Sequence, residues 1–283
     1  MGTTTALTLV DRLSQSVGDY IAEVVTTNVA ANAYIVSTHL NKWDGGNDNS
    51  FKDWWVYIAS QNNNDKERRV RTYAASNATA NVFGGNLSAD TNVADIRLGR
   101  YSYADKLRSI NEAIRETFPV LYRPIVDTSI RSATNTYEYN LPTNLALGEV
   151  DKILWEDEGT TNAIALQFWS LIYGWRILDD GSQKKFRLPF NPTNAITFRL
   201  EGIAPFSTLS GPANSIETSE ERELSLLTAY AKYKLYQRFE QPVAMLDTKR
   251  YQTQSMQAYG EYIRLKMTAR KPRPTATLHL GGV

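Results

Sequence analysis

Residues 102–124 read SYADKLRSINEAIRETFPVLYRP, and the reading of the whole chain turns on this stretch. Leu107, Ile110, Ile114 and Phe118 recur at steps of three and four, which places them on one stripe of an α-helix over residues 103–118. Ser102 is a suitable N-cap, and Asp105 puts an acid near the positive end of the helix dipole. Arg108 and Glu112 stand one turn apart, in the weaker cation-first order. Pro119 stops the helix, because it has no N–H to donate and disfavours helical geometry in the residue before it. Taken alone, the pattern predicts an amphipathic helix with its stripe in a core.

Upstream, Leu7, Val10, Val17 and Ile21 keep roughly helical spacing, and Gly18 weakens the second half of that helix. The period then changes. Residues 34–38 are β-branched and aromatic, residues 44–49 (DGGNDN) form a turn cluster, and Trp54, Val56 and Ile58 alternate with Trp55 and Tyr57. With residues 70–73 and 81–83, this predicts a small antiparallel sheet or barrel over about residues 22–86. Residues 86–95 are polar and read as a linker.

Downstream, Tyr137, Tyr139 and Leu141 alternate, residues 150–155 form a second strand, and residues 165–173, 175–178, 185–188 and 196–200 supply more. Asp180-Gly181 between apolar runs is a hairpin signal. Strands at such short intervals predict a sandwich-like β-domain. Thr218 and Glu221 then have the spacing of a capping box ahead of a helix with Leu224, Leu227, Ala231 and Leu235 on its stripe. Pro242 ends it. A last helix over about residues 247–267 has Met256, Tyr259, Ile263 and Met267 on one side. The fold class is therefore α+β: a helical core from the central and two C-terminal helices, a sandwich-like antiparallel β-domain and an additional small N-terminal β-domain. The predicted layout is residues 1–95 for the N-terminal helix and small sheet, 96–125 with 207–268 for the helical core, 126–206 for the inserted β-domain and 269–283 for an extended tail.

Composition narrows the function. Lys plus Arg number 31 against 30 Asp plus Glu, without the basic excess of a protein devoted to gripping nucleic acid. Cysteine is absent, so thiolate nucleophiles, disulfides and Cys-ligated zinc are excluded. No secretory leader and no apolar run of membrane-spanning length is visible, which predicts a protein made in, or assembled in, a cytoplasm. The 283 residues hold 16 Tyr and six Trp, an abundance suited to strands and contact surfaces.

No catalytic motif stands out. The chain has neither Gly-x-Ser-x-Gly nor a phosphate-binding Gly-x-x-x-x-Gly-Lys. His39 and His279 are at opposite ends and read as incidental. Glu156, Asp157 and Glu158 are adjacent, which suits a solvated turn better than a separated catalytic pair. Asp44, Asn47, Asp48 and Asn49 carry calcium-type oxygens but lack the order of an EF-hand loop. Trp54 and Trp55 fall on opposite faces of a strand. Neither a cofactor nor a metal is expected. The C-terminal segment is more telling: Arg270, Lys271 and Arg273 flank prolines, and Thr275 to Leu280 alternates like a strand. Its plain alternative is a solvated terminus. Leu278 and Leu280 favour docking as an added strand on a partner's sheet edge.

The phrase at residues 107–124 (LRSINEAIRETFPVLYRP), followed by a β-rich stretch and a capped, Glu-rich helix, resembles the head-to-tail connector (adaptor, or neck) proteins of tailed bacteriophages over roughly residues 100–270. The N-terminal β-region falls outside that resemblance. The resemblance implies a non-enzymatic structural virion protein that forms a homo-oligomeric ring, commonly a dodecamer, between the portal protein and a downstream tail or stopper protein. It implies that DNA passes through the ring without sequence-specific binding, that no membrane is involved, and that the C-terminal segment with Arg270, Lys271, Arg273, Leu278 and Leu280 reaches the portal. The competing class is a carbohydrate- or receptor-binding β-module of a virion or secreted protein, favoured by the aromatics. An enzyme is the third.

Overall fold

Val56 and Ile58 are buried on one side of their strand while Trp55 and Tyr57 point to the other, so the period-2 pattern builds a sheet with two different faces. The computed structural model describes residues 2–26, 33–89, 93–156, 169–179, 181, 183–192, 196–239 and 245–268. Its fold is α+β, and it groups into two compact units. The first comprises Met1–Glu116 with Ser207–Ala269, and the second is built on residues 117–206.

In the first unit, strand β1 (Thr4–Thr5) leads into helix α1 (Ala6–Ser16). The Thr5 hydroxyl caps α1 by accepting from the Thr8 N–H, and the helix is over before Gly18, whose φ of 68° is a left-handed turn that glycine adopts without strain. Then come β2 (Ile21–Val24), β3 (Tyr34–Val36), β4 (Trp55–Ile58), β5 (Lys66–Ala74), β6 (Thr79–Val82) and β7 (Asp95–Gly99). They form one antiparallel sheet in the order β2-β7-β4-β5-β6-β3. Its two outermost strands are bridged to each other: the Thr26 N–H donates to the Val36 carbonyl at 3.0 Å and the Ser37 hydroxyl to the Val24 carbonyl at 2.6 Å. The curled sheet encloses a core that includes Ile35, Phe51, Ile58, Val70, Tyr73 and Ile96. Helix α2 (Tyr103–Thr117) follows.

The second unit carries β8 (Arg123–Asp127), β9 (Glu138–Asn140), β10 (Glu149–Glu156), β11 (Trp169–Leu171), β12 (Arg176–Asp179), β13 (Lys184–Arg187) and β14 (Phe198–Ala204). Two antiparallel sheets, β11-β10-β14-β8 and β12-β13-β9, share a core around Tyr139, Ile153, Phe186, Phe198 and Leu200. The Tyr139, Phe186 and Phe198 rings meet with centroids 5.2–5.8 Å apart, close enough for edge and offset contacts. This is the sandwich-like region. The chain then returns to the first unit with β15 (Ser215–Ile216), which pairs with β1, and helices α3 (Glu221–Phe239) and α4 (Met245–Thr268).

Several expectations need correction. Strands β7 and β8 lie where the sequence predicts none. In β7 only Ile96 and Leu98 alternate, too short a pattern to read alone, yet the strand sits between β2 and β4. β8 contains Pro124, which a strand tolerates at the edge of a sheet, where β8 lies. The capping box at Thr218 is only half made: its hydroxyl accepts from the Glu220 N–H at 3.1 Å, but the Glu221 carboxylate pairs with Arg12 of α1 instead of turning back. In α2, Ile110 and Ile114 are buried but Leu107 is only half-buried, while Lys106 and Ser109 are buried beside them.

Each unit should depend on its own core. Leu13→Ala in α1 and Phe198→Ala in β14 remove fully buried side chains and are expected to cost about 2–5 kcal/mol each. Chemical denaturation measures this, and a loss below about 1 kcal/mol at both sites would contradict the packing described.

Candidate functional site

Titratable side chains concentrate where α1 and α2 cross the outer face of the first sheet. Asp19, just past α1, is buried; it accepts from the Arg100 and Tyr101 N–H groups and pairs with Lys106 Nζ at 3.0 Å. The two side chains are 3% and 6% exposed. Gly99 lies against them: a methyl group there would come within 2.7 Å of Asp19 Oδ2 and 2.8 Å of Lys106 Nζ, so any side chain would drive the pair apart. Asp11 of α1 meets Arg97 of β7 at 3.3 Å and also accepts from the Tyr20 hydroxyl. Glu67 of β5 accepts from the Tyr103 N–H at the start of α2, satisfying an amide that helix geometry leaves unpaired. The Tyr57 and Tyr103 rings stack with centroids 4.0 Å apart and planes 8° from parallel.

Burial raises the pKa of Asp11 against the pull of Arg97. It raises that of Glu67 against the amides of Tyr103 and Ala104 and the charge of Lys106. Shifted carboxylates mark active sites often enough to merit a test of size. The cavity between these groups is about 20 Å³, water-sized, whereas small-molecule sites run to about 300–1,000 Å³. The cluster is a joint between sheet and helices with no room for a substrate.

A second feature lies on α3 and α4, which run antiparallel. Tyr230 faces Tyr262 at 4.4 Å, Tyr233 faces Tyr259 at 5.0 Å, and Phe239 faces Tyr251 at 6.1 Å. The buried row of α4 is Ser255, Ala258 and Tyr262. The sequence reading puts the stripe of Met256, Tyr259, Ile263 and Met267 on one side of this helix, and that side proves open to solvent: Met256 is 77% exposed, Tyr259 44% and Met267 79%, with Ile263 half-buried. Lys249, Arg264 and Lys266 border it. Ser255 and Ala258 have the same helical spacing as the stripe and were the available signal for the true core side, but small residues weigh little beside methionine in an apolar pattern. Polar contacts join α2 to α3: Glu112 to Arg238, and Glu116 to Tyr230 and to Lys234 at 2.9 Å.

The other candidates are engaged structurally. Asp44 accepts from the Gly46 N–H at 2.7 Å and the Tyr73 hydroxyl at 2.8 Å, and Asp48 accepts from the Ala75 N–H. Their oxygens bind the loop to β5. His39 Nδ1 and the Trp43 indole N–H share the carboxylate of Glu23. Trp54 packs edge-on to Phe51, whereas Trp55 lines the small cavity. Between α1, α3 and α4 a groove of about 470 Å³ has its charges paired, Arg12 with Glu221 and Lys232 with Glu261. Among the described residues no three His, Asp or Glu side chains are placed to hold a metal ion, and no helix is long and apolar enough to cross a membrane. Arg270, Lys271, Arg273, Leu278 and Leu280, together with His279, Asp157 and Glu158, lie outside the described residues. No protein-family model matches the chain, and no curated protein matches it.

The joint can be tested in two ways. Lys106→Met should cost about 3–5 kcal/mol by stranding the buried Asp19 carboxylate, and adding Asp19→Asn should recover part of the loss. An additive double variant would show that the two groups are not coupled. For Glu67 the folded pKa lies above the unfolded 4.5, so its protonation stabilises the fold below that pH, and the benefit is lost as pH rises through the folded value. The wild type should therefore gain stability relative to Glu67→Gln as pH falls from about 7 towards 4.5. Parallel denaturation curves across that range would refute the assignment.

Proposed function

We propose that this chain is a structural virion protein, a subunit of the head-to-tail connector (adaptor) ring of a tailed bacteriophage. In this reading it joins the portal protein to a downstream tail or stopper protein and lines the passage taken by DNA, with no enzymatic activity. The observation that carries the reading is the exposed stripe of Met256, Tyr259 and Met267 on α4. Large apolar side chains exposed along one side of a long helix are a liability for an isolated subunit and an asset for one that packs beside a copy of itself. The resemblance at residues 107–124 supplies the kind of assembly. Supporting it, the clustered ionisable groups of the first unit bind one another around a cavity too small for a substrate. The portal-facing role of the C-terminal segment rests on its sequence alone.

Replacing Met256 and Met267 together by Asp should leave the melting temperature within a few degrees of wild type, since both side chains are exposed, while abolishing assembly on purified portal rings. Sedimentation and electron microscopy read the result. Undiminished assembly by the double variant would remove the stripe from the argument. A wild-type chain that neither forms rings nor binds a portal at any concentration would defeat the connector reading. Tyr173, 77% exposed, and Trp43, 54% exposed, favour the alternative of a carbohydrate- or receptor-binding module. Glycan binding by a monomer, lost in Tyr173→Ala, would establish that alternative.

A further inference from the structure

Helix α4 has two flanks of different chemistry. On one, Tyr259 meets Tyr233 of α3, and Met256 and Met267 stand exposed, bordered by Lys249 and Lys266. On the other, Glu261 pairs with Lys232 and lines the groove between α1, α3 and α4. At 3.6 residues per turn, the step from Tyr259 to Glu261 swings the side chain through about 200°, so the flanks point nearly opposite ways. The cationic flank has no acid of its own: Glu261 is the only Asp or Glu in residues 249–267. The groove, about 470 Å³, is floored by Ser225, Thr228 and Ala229 of α3. Glu221 stands beside it, bonded to Arg12 and to the Ser225 hydroxyl, which both line it. The side chains of Glu221 and Glu261 remain 74% and 45% exposed with their own cations in place.

We propose that this groove receives the α4 stripe of a second copy of the chain, with Met256 and Tyr259 seated over Thr228 and Ala229 and Lys266 facing the carboxylates of Glu221 and Glu261. Charge selects this contact over stripe against stripe. Pairing two stripes would gather Lys249 and Lys266 of both chains without an acid, and juxtaposed like charges are unfavourable. The groove supplies the missing acids. Stripe and groove are different surfaces on opposite flanks of α4, so the contact is head-to-tail. Each copy offers its stripe to one neighbour and its groove to the next, and such contacts close into a ring where the rotation permits. The inference rests on the connector reading for the ring, and adds to it the surface that receives the stripe.

The chain has no cysteine, so single introduced thiols report neighbours without background. Full-length Met256→Cys mixed with full-length Thr228→Cys should be joined into a dimer by a short bis-maleimide, whereas Met256→Cys alone should not. Sedimentation gives a second reading. Met256→Asp with Met267→Asp spoils the stripe, and Thr228→Arg with Glu261→Arg spoils the groove. Each spoiled chain should be monomeric alone, and their mixture should form a one-to-one dimer through the single contact left intact. The inference is overturned if the mixed thiols do not cross-link, if Met256→Cys cross-links to itself, or if the mixed spoiled chains stay monomeric while the wild type associates. Should the groove variant fail to fold, the conservative Thr228→Cys pair decides alone. A chain that assembles on portal rings yet gives no mixed cross-link keeps the connector reading and loses this one.

Discussion

The ion pair between Asp19 and Lys106 fixes the relation of three elements at once. Asp19 follows α1, its carboxylate accepts from two amides of the turn after β7, and its cation, Lys106, comes from α2. A buried pair contributes little net stability over an apolar replacement, because desolvation offsets the attraction. Its effect is geometric: only one placement of α2 on the sheet satisfies both charges. From there α2 reaches α3 through Glu112 and Glu116, so the same helix carries polar contacts to the sheet and to the helical hairpin.

Apolar packing and polar joints divide the work in this molecule. The two β-cores are built from aliphatic and aromatic side chains, as dry interiors require. The helices bury apolar rows of their own, Leu13 of α1, Ile110 and Ile114 of α2, and Leu224 and Leu227 of α3, and add polar joints of carboxylates, cations and tyrosines. This explains why shifted pKa values gather at a place without room for a reaction. It also gives two opposing pH responses: Asp11 and Glu67, with raised pKa values, favour the fold as they take up protons, whereas the lowered Glu116 and Asp127 favour it as they lose them.

Much of the architecture is legible in the chain. Ser102 caps α2 as its position predicts, its hydroxyl accepting from the Asp105 N–H at 3.0 Å, and the hairpin of residues 176–187 pairs in antiparallel register. Leu224, Leu227, Ala231 and Leu235 are all buried. What escaped the sequence had too few residues to show a period, as in β7, or depended on partners far away in the chain. Glu221 has the spacing of a local cap, but an arginine on α1 competes for it and wins. The α4 stripe marks the limit of pattern reading: apolar spacing shows which residues share a side of a helix, not whether that side meets the protein or the solvent.

The pairing of β1 with β15 has a bearing on synthesis. Thr4 donates its hydroxyl to the carbonyl of Thr218, 214 positions later, and α1 packs on α3. At about 5–20 residues per second, a ribosome needs on the order of 10–40 s to deliver those partners. Throughout that interval α1 lacks the helix against which it finally packs. The second unit, whose strands are contiguous in the chain, can fold within the wait. The first unit is thus started before the second and closed after it.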